Sequence, residues 1–256
     1  MIEAFCIVFV FGAVVGSFLN VCIHRIPNRQ SIVSPGSSCP FCKSGIPWYL
    51  NIPLVSYLLL RGRCRFCSQR ISIRYPLVEA LTGLAAMAVL FQFGLTAEAL
   101  FWFAFIAVLI TISFIDLDHQ IIPDVLSLPG ICCFASSFYL VPGMTWQETA
   151  AGILAGGGIL YAVAFLYSLA RKEEGMGGGD IKLLAMIGAA TGVKGVLFTL
   201  FAGSLLGTLA GAAVMVATRT ANHKLKIPFG PFLSAGAVAY IFCGSRLIQW
   251  YFGVII

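Results

Sequence analysis

Charge is what this sequence has least of: Asp and Glu number ten, Lys and Arg sixteen, and charged residues are 10% of 256 against 59% hydrophobic. A soluble domain carries about a quarter charged residues. That class is excluded, and a mean hydropathy of +0.95 leaves a polytopic membrane protein. No basic residue precedes the first apolar run, residues 4–23, and no small-x-small cleavage site follows it; His24 and Arg25 do. The run is therefore expected to be an uncleaved first span rather than a signal peptide. Internal repeats and low-complexity tracts are lacking as well, the glycines of residues 175–179 being a local turn-forming run.

What is present is a series of apolar runs. Read against the roughly 20 residues that a span needs, they predict eight helices near residues 4–23, 76–93, 99–115, 124–141, 148–169, 181–193, 196–217 and 229–252. An even count puts both termini on one side. One face would then hold Arg25, Arg29, Lys43, Arg61, Arg63, Arg65, Arg70 and Arg74 in its first connection. It would also hold Arg171, Lys172 and Lys182, then Arg219, Lys224 and Lys226, leaving only Lys194 and Arg246 opposite. The positive-inside rule makes the basic face cytoplasmic and both termini external. The net charge of +6 is thus a consequence of topology, and no nucleic-acid surface is read into it. Three pieces follow: a first transmembrane helix (1–24), a cytoplasmic insert (25–75) and a multi-span membrane domain (76–256).

The insert carries four of nine cysteines as "CPFC" (Cys39, Cys42) and "CRFC" (Cys64, Cys67), a C-x2-C-x21-C-x2-C pattern. Two such turns bring four thiolates to one tetrahedral zinc, and the closed ligand set suits a structural site. Redox pairs or simple buried thiols are the alternatives. Cys6, Cys22, Cys132, Cys133 and Cys243 fall in apolar runs, where small apolar packing residues are expected.

The ten acidic residues can be taken singly. Glu3, Glu98 and Glu148 flank spans on the outer face, and Glu173 and Glu174 share a loop with Arg171 and Lys172. Glu79, Asp116, Asp118, Asp124 and Asp180 lie at or near cytoplasmic helix ends. The span before Asp116 is about 26 Å long, and the one after Asp180 only about 20 Å against a hydrocarbon core of about 30 Å. Asp180 is therefore expected below the membrane surface, at a dip made possible by its preceding glycines. Irregular backbone at that depth survives only beside protein or a wet cavity. Capping of the following helix is the competing role for Asp180. Asp118 and Asp124 suit solvation or capping, and His119, with no second His nearby, an interfacial role. Two aspartates on different helices at similar depth can share a proton, the ionised one activating water and the neutral one polarising a peptide carbonyl.

The segments "GSFLNVCIHRIP" (16–27), "NIPLVSYLLLRGRC" (51–64), "RYPLVE" (74–79), "IDLDHQIIPD" (115–124), "EGMGGGDIKLLAMIGA" (174–189) and "IPFGPFL" (227–233), with both cysteine pairs, resemble the bacterial type IV prepilin peptidases. These leader peptidase/N-methyltransferases are GxGD-type aspartic proteases of the inner membrane. The resemblance implies an all-α polytopic protein with Asp116 and Asp180 as catalytic aspartates and Cys39, Cys42, Cys64 and Cys67 as zinc ligands. It also implies prepilin and pseudopilin substrates cleaved after a glycine at the cytoplasmic face, and S-adenosylmethionine as donor for methylating the new amino terminus, often phenylalanine.

For methyl transfer the weak candidates are Gly62, through close backbone approach to a ligand, and Glu79, by holding the nascent ammonium. A plain turn and pairing with Arg74 are the respective alternatives. Ser17, Asn20 and His24 follow helical spacing and are read as interhelical hydrogen-bonding residues. Two rivals differ in function: an intramembrane aspartic protease acting on other helices, and a metal-handling transporter. The lack of a second His or Cys cluster along the spans argues against transport.

Overall fold

The computed structural model describes residues 2–171, 177–218, 228–244, 246–247 and 250. Lys172, Glu173, Glu174, Gly175, Arg219, Lys224, Lys226 and Ile227, used above for topology and resemblance, lie outside them. Among the described residues the regular structure is helical, with two isolated β-bridges. This is how a chain in hydrocarbon satisfies its backbone internally.

The helices are α1 (Ile2–Arg25), α2 (Val55–Leu59), α3 (Arg74–Phe93), α4 (Ala97–His119), α5 (Asp124–Phe134), α6 (Ser137–Leu140), α7 (Trp146–Arg171), α8 (Gly178–Thr218) and α9 (Gly230–Ala239). Among the described residues five helices are long and apolar enough to cross a membrane, α1, α3, α4, α7 and α8; residues Asp124–Phe134 and Gly230–Gly244 form shorter apolar helices. Eight apolar runs thus map onto five long helices and shorter pieces. The run 124–141 breaks after Phe134, where Ser136 Oγ donates to Cys133 O at 2.7 Å and Ser137 Oγ to Ala189 O at 2.7 Å. Serine hydroxyls that reach backbone carbonyls compete with helix continuation in this way. The runs 181–193 and 196–217 join in α8, interrupted only by the non-helical Gly192 at φ 68°.

The chain forms two compact units, residues 1–111 and 112–256. In the first, α1 lies directly on α3 through small residues. A Cβ on Gly12 would come within 2.8 Å of Ala86 Cβ, and one on Gly16 within 2.8 Å of Glu79 Cα. Such close backbone approach is the usual packing of helices in lipid, where hydrophobic burial gives no driving force. Arg25, ending α1, ties down the insert by donating to the carbonyls of Ser31 (2.9 Å) and Pro35 (2.7 Å).

In the second unit α7 and α8 approach in the same manner, Gly152 and Gly156 lying against the backbone of Gly188 and Leu184. Leu183, Leu184, Met186, Ile187, Ala189 and Ala190 are wholly buried. At the start of α7, Thr145 Oγ1 accepts from the Glu148 N–H at 3.3 Å while Glu148 Oε2 accepts from the Thr145 N–H at 2.9 Å, a reciprocal cap. Glu98 accepts from Trp102 Nε1 at 3.2 Å, so two of the three predicted boundary glutamates, Glu98 and Glu148, are partnered. Cys22 is buried, whereas Cys6, Cys132, Cys133 and Cys243 are exposed. The latter four are outward-facing apolar residues and not core packing.

Candidate functional site

Asp116 occupies the last turns of α4 and is 5% exposed. Its Oδ2 accepts the backbone N–H of Gly230, the first residue of α9, at 2.9 Å. That approach requires glycine at 230, because a Cβ there would sit 2.7 Å from Asp116 Oδ2 and 3.4 Å from Ile122 Cδ1. Asp180 is partly buried in the first turn of α8, 3.8 Å from the position a Cβ on Gly177 would take. The neighbouring Gly179 packs on the same isoleucine, with its Cβ position 2.8 Å from Ile122 Cβ. Ile122, in the turn after α4, therefore bears on residues beside both aspartates, and the charge of Asp116 acts on Asp180. Both expected aspartates thus stand beside residues that pack on Ile122.

The capping role for Asp180 does not fit, since α8 already begins at Gly178 and Asp180 lies inside its first turn. Asp124 does not cap either: Pro123 holds that position, and Asp124 Oδ1 meets Lys182 Nζ at 2.6 Å. Lys182, counted with the basic face and inside the predicted run 181–193, is part of α8. Asp118 and His119 are exposed at the end of α4. Gly230 and Ile122 were quoted above only inside longer motifs. Nothing local in the sequence marks their contact with the aspartates.

The four insert cysteines also converge. Their Sγ atoms lie within 4.8 Å of one another, and Cys39 and Cys67 are 3.8 Å apart. A tetrahedral site with Zn–S bonds of about 2.3 Å has S···S edges of about 3.8 Å. The residues therefore fit a zinc ion. Each pair sits in the same ten-residue turn, and the two copies are related by 25 positions. Cys39 N–H donates to Ser44 O and Cys64 N–H to Gln69 O; Ile46 N–H donates to Ser37 O and Ile71 N–H to Gly62 O. Lys43 (φ 58°) and Ser68 (φ 57°) take the same left-handed position. The absence of internal repeats expected from sequence is thus corrected locally: "SSCPFCKSGI" and "GRCRFCSQRI" are one structural unit used twice.

Thiolate character follows from these turns. Hydrogen bonds from the Ser44 side chain and backbone lower the Cys42 thiol to about 6, and backbone bonds from Cys67 and Phe66 lower Cys64. Cys67 is pushed up to about 11 despite a backbone bond from Gln69, because desolvation and the neighbouring Cys42, Cys64 and Cys39 favour its proton. Cys67 thus keeps its proton near neutral pH, and would lose it as a zinc ligand.

Gly62, a weak methyl-transfer candidate, closes a turn: it has φ 66°, its N–H donates to Tyr57 O at 2.9 Å, and a Cβ would strike the Tyr57 ring at 2.9 Å. The plain-turn alternative accounts for it. Glu79 is 8% exposed and accepts the Leu54 N–H at 2.8 Å, with the Ser17 side chain beside it. Leu54 reaches it from the left-handed region, φ 61°, where a non-glycine residue is uncommon. Asn20 Nδ2 donates to Tyr75 O at 3.0 Å, so Ser17 and Asn20 do link α1 to α3. His24 is exposed.

Residues 10–93 match the model of the Bacterial Peptidase A24 N-terminal domain, and residues 103–212 that of the Type IV leader peptidase family. The prepilin leader peptidase/N-methyltransferase of Aeromonas hydrophila is 36% identical over 277 residues, covering 96% of this chain and 93% of its own length. The protein of that name from Pseudomonas putida is 36% identical, covering 91% and 88% respectively. The one from Myxococcus xanthus is 39% identical over 216 residues, 84% of this chain and 64% of its own. No solved structure matches.

Proposed function

Since this chain belongs to the type IV leader peptidase family, we propose that it is an aspartic endopeptidase that removes the leader from prepilins and pseudopilins after a glycine, then N-methylates the new terminus. What supports the peptidase is that Asp116, from α4, and Asp180, from α8, each adjoin a glycine packed on Ile122. In this reading one carboxylate is ionised and takes a proton from water. The other is neutral and donates to the scissile carbonyl oxygen as the tetrahedral intermediate forms. The Gly230 N–H fixes the orientation of Asp116 throughout. As the diol collapses, the carboxyl that took the water proton gives it to the leaving amine and the other carboxylate takes back the proton of a diol hydroxyl, which restores the shared-proton pair.

Cys39, Cys42, Cys64 and Cys67 would hold zinc, whose part is to close the insert: four thiolates leave no position for a reactive water. S-adenosylmethionine supplies an electrophilic methyl group for the second reaction. The charge distribution supports a multi-pass inner-membrane protein of eight spans with the insert and dyad at the cytoplasmic face and both termini outside.

Mass spectrometry of a purified prepilin incubated with the protein, with and without S-adenosylmethionine, tests both activities. Loss of the leader without the donor, and an added methyl with it, is the expected result. An intact leader would remove the peptidase reading.

A further inference from the structure

In the unit formed by residues 1–111, a cavity of about 1140 Å³ lies between the C-terminal half of α1, the first turns of α3 and the two cysteine turns. Asn20 and Glu79 both line it. Asn20 is 3% exposed and uses its amide N–H on Tyr75 O, but its Oδ1 is buried with no hydrogen-bond partner. A buried acceptor without a donor is costly and calls for a ligand or a water.

The register of the two helices says where that acceptor stands. On α1, Ser17 meets Glu79 and Asn20 meets Tyr75. Ser17 and Asn20 are three residues apart, Tyr75 and Glu79 four, so along the helix axes Asn20 and Glu79 line the cavity about one helical turn apart, ~5.4 Å. Two acceptors at that spacing, one of them anionic, suit a small cation with several N–H donors. A peptide α-ammonium has three.

We infer that Asn20 Oδ1 and the Glu79 carboxylate seat the α-amino group of the cleaved chain for methyl transfer; this rests on the proposed N-methyltransferase activity. The ammonium cannot attack while it carries three protons. One passes to a Glu79 oxygen, while Asn20 Oδ1 keeps hold of a second N–H and turns the freed lone pair into the cavity. The nitrogen then bonds the methyl carbon of S-adenosylmethionine as the carbon–sulfur bond breaks, and sulfur keeps that electron pair. The product is a methylammonium and a neutral thioether, and the proton on Glu79 leaves to water.

The test uses the full-length protein and two short peptides, one with a free amino-terminal phenylalanine and one N-acetylated. Asn20→Ala should raise the methylation KM for the free-amine peptide about tenfold or more, with a smaller change in kcat and an unchanged KM for S-adenosylmethionine. Titration without the methyl donor should show the same loss of affinity for the free-amine peptide, while the N-acetyl peptide binds both proteins equally weakly. Asn20→Asp keeps an acceptor and should retain the affinity, whereas a purely structural Asn20 would make both variants lose it. Bound zinc reports that each variant is folded. An unchanged peptide KM in Asn20→Ala, equal losses in both variants, or a loss confined to S-adenosylmethionine would each overturn the inference. A parent protein that cleaves but never methylates would refute the methyltransferase reading instead, and the two-peptide titration would still decide the seat.

Discussion

Gly230→Ala isolates the contact that orients Asp116. The added methyl would lie 2.7 Å from Asp116 Oδ2 and 3.3 Å from its Cγ. Carbon–oxygen contacts settle at about 3.3–3.6 Å, so the carboxylate and α9 must separate by about 0.6 Å or more, lengthening the 2.9 Å bond from the Gly230 N–H. Catalytic groups work within about 0.5 Å of their productive position, and a misplacement of about 1 Å can cost about a hundredfold. The expected loss is therefore between about tenfold and a hundredfold in kcat for leader cleavage, or about 1.4–2.7 kcal/mol, with KM for the prepilin little changed. Gly230 is outside the left-handed region, so alanine brings no backbone strain. Gly178→Ala is the matching control near Asp180, since a Cβ there meets nothing within 4 Å, and it should cleave normally. Single-turnover cleavage of a purified prepilin, followed by mass spectrometry, measures both. If Gly230→Ala cleaves within about twofold of the parent, the position of Asp116 does not depend on this contact and the reasoning fails.

Asp116→Asn and Asp180→Asn should each abolish leader cleavage in membrane-inserted, zinc-loaded protein, because asparagine keeps the shape but cannot exchange a proton; robust cleavage by either variant would sink the dyad. Asp124→Asn should keep substantial cleavage, as its partly exposed pairing with Lys182 is worth at most about 1 kcal/mol. Cys39→Ser or Cys64→Ser should lower bound zinc and thermal stability together, since metal affinity is part of the insert's folding free energy; unchanged zinc in elemental analysis would reject the tetrad. Zinc loading near neutral pH should release protons, the Cys67 proton among them. Because Cys42 sits at about 6 and Cys67 at about 11, affinity should rise with pH and fall as pH drops through about 6. Calorimetry in buffers of different ionisation enthalpy reads the proton count, and zero release would contradict the thiol assignments.

What was legible in the sequence divides by range. Apolar length is a local property, so among the described residues the predicted runs fall mainly on helix. The breaks at Ser136 and Gly192 depend on hydroxyl–carbonyl contacts and a positive φ, which periodicity does not encode. The aspartates stood out in the sequence by their rarity and their places at the ends of apolar runs. The Gly230 N–H that orients one of them comes from 114 residues away, and no spacing rule reaches that far. The cysteine spacing announced the tetrad, yet the doubled turn behind it was passed over. Its two copies share side chains only at the cysteines, at Phe41 and Phe66, and at Ile46 and Ile71, while their likeness resides in backbone hydrogen bonds. That duplication also explains the spacer. Two equivalent turns can face one ion only if the chain between them doubles back, and residues 47–61 do so through a short 3-10 turn at Trp48–Leu50 and then α2. The return passes through Leu54, whose left-handed backbone is held by its bond to Glu79. Metal site and membrane helix α3 are therefore joined at one residue, and it lies in the wall of the cavity that holds Asn20. If zinc closes the insert as proposed, its removal should also loosen the Leu54 contact that holds Glu79.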